Sequence, residues 1–360
     1  MDYRSRWQEK RRLRATRTRL IAIAAMLVAA AAFAASWRSL VRPAPSGYAL
    51  PSADVCWLAA GEDFILVCAR SGRLARLGPG LSEDEATWPW HFTHPAGFWG
   101  APALLSGLAY IGCEDVRLRA VDVSTGLQAW EYEAAASVPG ATAAGDSVYF
   151  GDDAGMLYAI SASGELRWRV ELGAAVAAAP LVTDEAVVVG TLEGQVHCLD
   201  TADGSPLWTV EADGPVYCSP TMGPSSILLG DDSGAVHSIT REGQRLASLQ
   251  LEGLVRAPVA VHEAVVVAGD TSGTLVRINP SEMTRLWTAQ LSGPIAVEPV
   301  ILGDAIWCGA GSSLVEVSAE QGRIISRHVA EAQTCDLIAA HGLLYWATTD
   351  GRIMAVQPEQ

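Results

Sequence analysis

The chain has 360 residues and a net charge of −15, with 25 lysine and arginine side chains against 40 aspartates and glutamates. That sign disfavours nucleic acid, whose phosphates are held by lysine and arginine, and disfavours docking on anionic lipid. The seven cysteines include no Cys-x-x-Cys pair, so a metal site of that kind has no support, and their odd number leaves at least one thiol unpaired within a monomer.

The charge is unevenly placed. Residues 1–19 carry eight basic side chains, from Arg4 to Arg19, against Asp2 and Glu9, a net of +6 that leaves −21 for residues 20–360. Residues 20–37 are eighteen without a charge, nine of them alanine. As a helix they reach roughly 27 Å, close to the thickness of a bilayer's hydrocarbon core. The expectation is a basic cytoplasmic segment over 1–19, a transmembrane anchor over 20–37 and a proline-bearing linker over 38–44. The remainder is then sent outside by the positive-inside rule. A cleaved signal peptide is the rival reading, because Ala32-Phe33-Ala34 fits a cleavage site. The first cysteine after the apolar run is Cys56, too far downstream for a lipid-attachment cysteine.

From residue 45 onward the chain is repetitive. A proline followed ten residues later by a glycine occurs at Pro102/Gly112, Pro180/Gly190, Pro220/Gly230 and Pro299/Gly309. A second glycine recurs as Gly72, Gly155, Gly194, Gly234, Gly273 and Gly351, with Val116 and Ser313 at the two remaining positions. The interval is about 40 residues and the register holds eight copies. Each copy has four β-rich runs separated by Gly, Asp, Ser and Thr; in the fourth they are Pro180–Thr183, Ala186–Gly190, Gln195–Asp200 and Pro206–Glu211. Four short strands per repeat in eight repeats predict an all-β, eight-bladed β-propeller of four-stranded antiparallel blades over residues 45–360.

One segment stands out in this register: Ala120-x-Asp122-x-x-Thr125-Gly126-x-x-x-Trp130, which returns as Cys198 to Trp208 and, shortened, as Ala159 to Trp168. It resembles the mark of the pyrroloquinoline-quinone-type propeller repeats. The resemblance implies that Trp90, Trp130, Trp168, Trp208 and Trp287 pack between adjacent blades. Copies five and seven carry Ala247 and Ser326 instead, so weaker contacts are expected there.

Several residues invite a chemical reading. Trp88, Phe92, Phe98 and Trp99 exceed what the repeat requires and are candidate partner-binding residues. Cys56 and Cys68 lie symmetrically about residue 62 on the first two strands and are a candidate disulfide. Cys56, Cys218 and Cys335 share one repeat position, near the start of the innermost strand, where the channel could be approached. His197 and His237 occupy equivalent positions and read as structural. Asp152-Asp153, Asp231-Asp232 and Asp270 read as hairpin residues, not calcium ligands.

No G-x-S-x-G, H-E-x-x-H or phosphate-cradling loop occurs, so no catalytic, cofactor-binding or metal-binding residue is assigned and no cofactor is expected. The expected function is a non-enzymatic, membrane-anchored, extracytoplasmic scaffold for protein–protein interaction. In layout the chain is similar to BamB-type outer-membrane assembly propellers, although it lacks their lipid-attachment cysteine. That resemblance implies an envelope or membrane protein as partner. The alternatives are a sensor propeller with a small ligand in its channel, or a quinoprotein dehydrogenase. The latter group carries pyrroloquinoline quinone with calcium, and its alcohol dehydrogenases carry adjacent cysteines that this chain lacks.

The last copy supplies only three runs, Thr334–Ala339, Leu343–Ala347 and Arg352–Val356. Its fourth strand is expected from the start of the propeller, at about residues 45–51.

Overall fold

The second and third runs of each repeat are nearly continuous apolar stretches, and they are the strands that neighbouring sheets cover on both faces. Ile65–Ala69 and Ser147–Gly151 are buried along their whole length. The fourth runs alternate, as in Pro206–Glu211 and Arg245–Gln250, because only one of their faces meets a neighbour. Each repeat thus becomes an antiparallel sheet running from an innermost to an outermost strand, four-stranded in every blade but the seventh, whose sheet has five. In the fourth blade these strands are Leu181–Val182, Ala186–Gly190, Gln195–Asp200 and Pro206–Glu211. The computed structural model describes residues 41–43, 47–50, 54–81 and 90–358. The eight blades lie within Pro43–Gln360. The expected membrane helix over 20–37 lies outside the described residues. Among the described residues no helix is long and apolar enough to cross a membrane.

Blades are joined by one recurring contact. The indole N–H of Trp90 donates to the Val123 carbonyl of the next blade at 2.7 Å, and Trp130, Trp168, Trp208 and Trp287 donate to Ala162, Thr201, Arg241 and Ala319 at 2.7–3.0 Å. Beneath each ring lies the turn glycine of that next blade: Gly126, Gly164, Gly204, Gly243 or Gly322. All five have φ between +68° and +92°, and a Cβ on any of them would come within 2.5–2.9 Å of the indole. The turn therefore needs glycine twice over, for its backbone and for the room.

Three junctions lack the tryptophan: those behind Ala247 and Ser326, and the seam between the eighth and first blades. Behind Ala247, where a weak contact was expected, the next blade's turn has no glycine but Met283, held at φ +50° and 5% exposed in one cluster with Ala247 and Leu249. The space an indole would take is thus filled from the opposite side. Behind Ser326 nothing equivalent arrives among the described residues, because the eighth blade has no turn between its third and fourth strands. A cleft of about 740 Å³ remains there, lined by Glu316, Ile325, Gln357 and Pro358 among others.

The eighth blade is completed as expected. Thr334–Ala340, Leu343–Thr348 and Arg352–Val356 form its first three strands. Gly47–Ala49 supplies the outermost one, pairing Gly47 with Met354, Tyr48 with Ile353 and Ala49 with Arg352. Tyr48 and Leu50 are buried in the cluster that holds Leu77 and Leu81 of the first blade. A propeller ring closed by two chain ends is held there without a covalent link.

The expected Cys56–Cys68 pairing is overturned. The hairpin between Cys56–Ala60 and Ile65–Ala69 has a four-residue loop, so its centre lies between residues 62 and 63. Cys56 is opposite Ala69 and Trp57 is opposite Cys68. A slip of one residue sends a side chain to the other face of its sheet. Cys56 accordingly packs toward the eighth blade and Cys68 toward the second.

Two stability measurements test this account. Deleting residues 44–52 removes the closing strand and should lower the unfolding temperature while leaving blades two to six protected in hydrogen exchange; uniform loss of protection would count against it. Ala247→Trp should destabilise by about 1–3 kcal/mol through overpacking, and Met283→Gly by about 2–5 kcal/mol through the cavity it leaves. The double substitution rebuilds the contact used at the other junctions. It should recover at least about 1 kcal/mol relative to additivity in a denaturant double-mutant cycle.

Candidate functional site

Where each outermost strand hands over to the next innermost strand, the chain passes close to the propeller axis. A cavity of about 370 Å³ lies there, and its walls come from all eight blades, including Trp57, Pro102, Ala141, Ala179, Cys218, Pro258, Glu298 and Asp336. It is therefore the mouth of the central channel. Most of the wall is small: Gly100, Ala101, Ala178 and Ala179 leave the lumen open.

Large and charged residues occupy the rest. Trp57 and Trp99 meet at 6.4 Å between ring centroids, tilted by 40°. The Arg70 guanidinium lies 4.2 Å over Trp99 and is 3.4 Å from the Glu114 carboxylate. In the fifth and sixth blades Tyr217, 37% exposed, is covered by Arg256 at 4.4 Å. Both forks of Arg256 are taken by Asp232, at 2.7 and 2.8 Å. These are amphipathic anchors fixed by ion pairs, the type of group that carries binding energy at protein interfaces.

Two carboxyls face the same lumen. Asp336 accepts from the Leu58 and Leu337 amides at 2.6 and 2.8 Å. Burial nevertheless pushes its pKa up to about 6, against those hydrogen bonds. Glu298 opens to the channel water but is enclosed by channel wall, and this desolvation, followed by repulsion from Asp336, raises it to about 7. Both carboxyls are thus pushed to hold their protons at higher pH than a free carboxyl does.

Sequence reasoning placed some of these residues and missed others. Phe98 is fully buried, and Phe92 stacks on it at 6.2 Å, so both belong to the packing between the first two blades. Trp88 lies outside the described residues. Of the four, Trp99 meets a residue of the channel wall, Trp57, and does not itself line the cavity. Cys218 and Cys335 do line the channel, whereas Cys56 is wholly buried behind it. Trp57, Tyr217, Arg256, Glu298 and Asp336 were not anticipated. Their one signal is position: each lies one to three residues before the residue that marks the innermost strand, where other copies carry alanine, glycine or serine.

The histidines and hairpin aspartates are structural, as expected. Asp231 is buried and takes the His237 ring at 2.7 Å, the Ser233 and Ala235 amides, and the Asp213 amide at 2.9 Å. Burial opposes its ionisation, but the bonds from His237 and Ser233 prevail and hold the carboxyl below its ordinary range. Asp213, Asp231 and His237 lie close enough together to bind a metal ion. Asp152 makes the same set of bonds with Tyr158 in place of histidine, and Asp213 is already held by Arg245. The repeat explains the cluster without an ion. His197 bonds Thr209 at 3.1 Å.

The profile of the family described as "Outer membrane protein assembly factor BamB" matches residues 34–163, 116–254 and 159–360. The chain belongs to this family. A curated relative, the outer membrane protein assembly factor BamB of Yersinia pestis, is 28% identical over 101 residues, which is 24% of this chain and 26% of that protein. The matched stretch is thus about a quarter of the relative's length. Among solved structures, BamB from Moraxella catarrhalis superposes with a TM-score of 0.76 at 22% identity, over 87% of this chain and 99% of that one. The computationally designed Ika8 protein (TM-score 0.77, 15% identity) and Sqt1 of Saccharomyces cerevisiae (0.77, 10%) fit as well. They cover 87% and 89% of this chain and all of their own. At such identities these likenesses show the fold, and the family assignment rests on the profile.

The channel carboxyls generate a pH test. A carboxyl whose folded pKa is raised favours the folded state fully below its unfolded value, about 4.3 for glutamate. That contribution is lost as pH rises through the folded value, about 7 for Glu298. Glu298→Gln should therefore melt with the wild type near pH 4 and above it near pH 8. Equal melting temperatures at both pH values would remove Glu298 from the account.

Proposed function

We propose that this propeller is a non-enzymatic scaffold, held at the membrane by its N-terminal segment on the extracytoplasmic side, that binds another envelope protein through its channel mouth. The observation that carries this reading is the pair of arginine-capped aromatic clusters, Trp57–Trp99 with Arg70 and Tyr217 with Arg256, on one rigid rim. Interfaces concentrate their energy in such tryptophan, tyrosine and arginine anchors. Membership of a family named for outer membrane protein assembly supports a partner in envelope assembly. The basic segment 1–19 and the uncharged stretch 20–37 support the anchor and its orientation. The −21 charge of the rest supports a partner whose docking face is basic or apolar rather than acidic.

A small-ligand role is the second reading, favoured by the 370 Å³ lumen with its two carboxyls. Such a ligand would be cationic or a hydrogen-bond donor.

Affinity purification of the full chain from detergent-solubilised membranes tests the first reading. Envelope-assembly proteins should co-purify. Trp57→Ala combined with Tyr217→Ala should cut their recovery by about tenfold or more, the loss of one to two anchors. The propeller itself should keep its circular dichroism spectrum. Undiminished recovery would exclude the channel mouth as the docking surface.

A further inference from the structure

The ring closes where the first and eighth blades meet, and two cysteines meet there as well. Cys56 lies in the innermost strand of the first blade and Cys335 in that of the eighth, 279 residues apart in sequence. The Cys335 thiol reaches the Cys56 carbonyl at 3.2 Å. A β-bulge explains how. The eighth blade's pairing shifts between Thr334 and Asp336, so Cys335 is the extra residue of its strand, without a partner across the sheet. It is thereby aimed at the neighbouring blade. One residue further on, the Asp336 carboxylate takes the Leu58 amide at 2.6 Å, which clamps the two innermost strands together at the same level. The Cys56 thiol is fully buried, and Cys335 is open to the channel lumen.

We propose that Cys56 and Cys335 form a disulfide that seals the propeller ring at its innermost strands. The reaction is thiol–disulfide exchange with a disulfide oxidant, either a small molecule or a protein. Cys335, the thiol the lumen exposes, attacks the oxidant as its thiolate, forming a mixed disulfide and releasing one thiol. Cys56 then gives up its proton and attacks the Cys335 sulfur, forming the S–S bond and releasing the second thiol. Two S–H bonds are lost, one S–S bond forms, and two electrons and two protons reduce the oxidant's disulfide to two thiols. The order follows from burial. The Cys56 thiol is bonded to the Cys335 side chain and shut away from solvent, both of which hold its pKa well above the ordinary range, so it is the poorer first nucleophile.

The bond would join residues 279 apart in sequence, a loop of nearly the whole propeller. Cross-links across long loops constrain the unfolded chain most. This one would add a covalent tie to a seam otherwise held by the Asp336–Leu58 and His341–Gly61 hydrogen bonds and a shared apolar cluster.

The test uses the purified full chain, reduced and then treated with oxidised glutathione. Alkylation and non-reducing peptide mass spectrometry should find one cross-linked pair, joining the peptides of Cys56 and Cys335, with two of the seven thiols lost to labelling. The oxidised protein should melt several degrees higher, and reductant should reverse the shift. Cys335→Ser should abolish the cross-link and the shift; Cys218→Ser, which alters the equivalent residue of the fifth blade, should leave both. A glutathione adduct on Cys335 that never resolves, or a cross-link between any other pair, overturns the proposal. The wild-type peptide map decides the question even if Cys335→Ser does not fold.

Discussion

An indole lying on a glycine turn is the contact on which this propeller depends. Each motif carries both halves of it. Gly126 receives Trp90 from the preceding blade, and four residues later Trp130 docks on Gly164 of the next. The two halves serve different junctions, so the register of one blade sets the spacing of its neighbours on both sides. The hydrogen bond to the turn carbonyl fixes the ring's direction, and the missing Cβ fixes its depth. One exception obeys the same constraint on volume. Where Ala247 withdraws the indole, Met283 fills the space at the cost of a left-handed backbone. Val116 shows the same tolerance elsewhere, keeping a φ of +59° where other copies have glycine.

The docked rim frees the channel mouth to vary. Tyr217, Arg256 and Glu298 precede their innermost strands and take no part in the ladder, so their side chains can change without disturbing a blade. The chain uses that freedom unevenly. Blades two to four contribute mostly alanine, glycine and proline, while Trp57, Tyr217, Arg256, Glu298 and Asp336 gather on the other blades. Carboxyls in such a place resist ionisation, and the elevated pKa values of Glu298 and Asp336 record that cost. A surface that binds a partner is commonly built at such expense, because the groups that recognise are seldom those that stabilise.

The seam between the first and eighth blades differs from every other junction. Its turn has no tryptophan to receive, and its closing strand comes from the opposite end of the propeller's chain. Contacts at the axis substitute for contacts at the rim. Asp336 clamps Leu58, Cys335 reaches Cys56, and His341 bonds the Gly61 and Glu62 carbonyls at 2.9 and 3.0 Å. On the neighbouring side, between blades seven and eight, the indole's space stays open as a cleft. Beside that cleft the last blade still packs on the seventh, where Trp307 and Leu314 share a buried cluster with Leu337, Trp346 and Met354.

The sequence by itself determined the number of blades, their four strands, the docking tryptophans and the origin of the closing strand. All of these follow from a period, and a period is visible along one dimension. Residues 120–130 or the 40-residue step from Trp168 to Trp208 need no knowledge of what lies beside them. Tertiary structure alone decided the rest. Whether Cys56 faces Cys68 or Cys335 turns on one residue of loop length, since a strand alternates its faces and a single slip reverses every side chain. Met283 could not be matched to Ala247 because lock and key lie on different blades. The channel mouth was hidden for the same reason: Trp57 and Asp336 are nearly the whole propeller apart in sequence, and only closure of the ring puts them in one cavity.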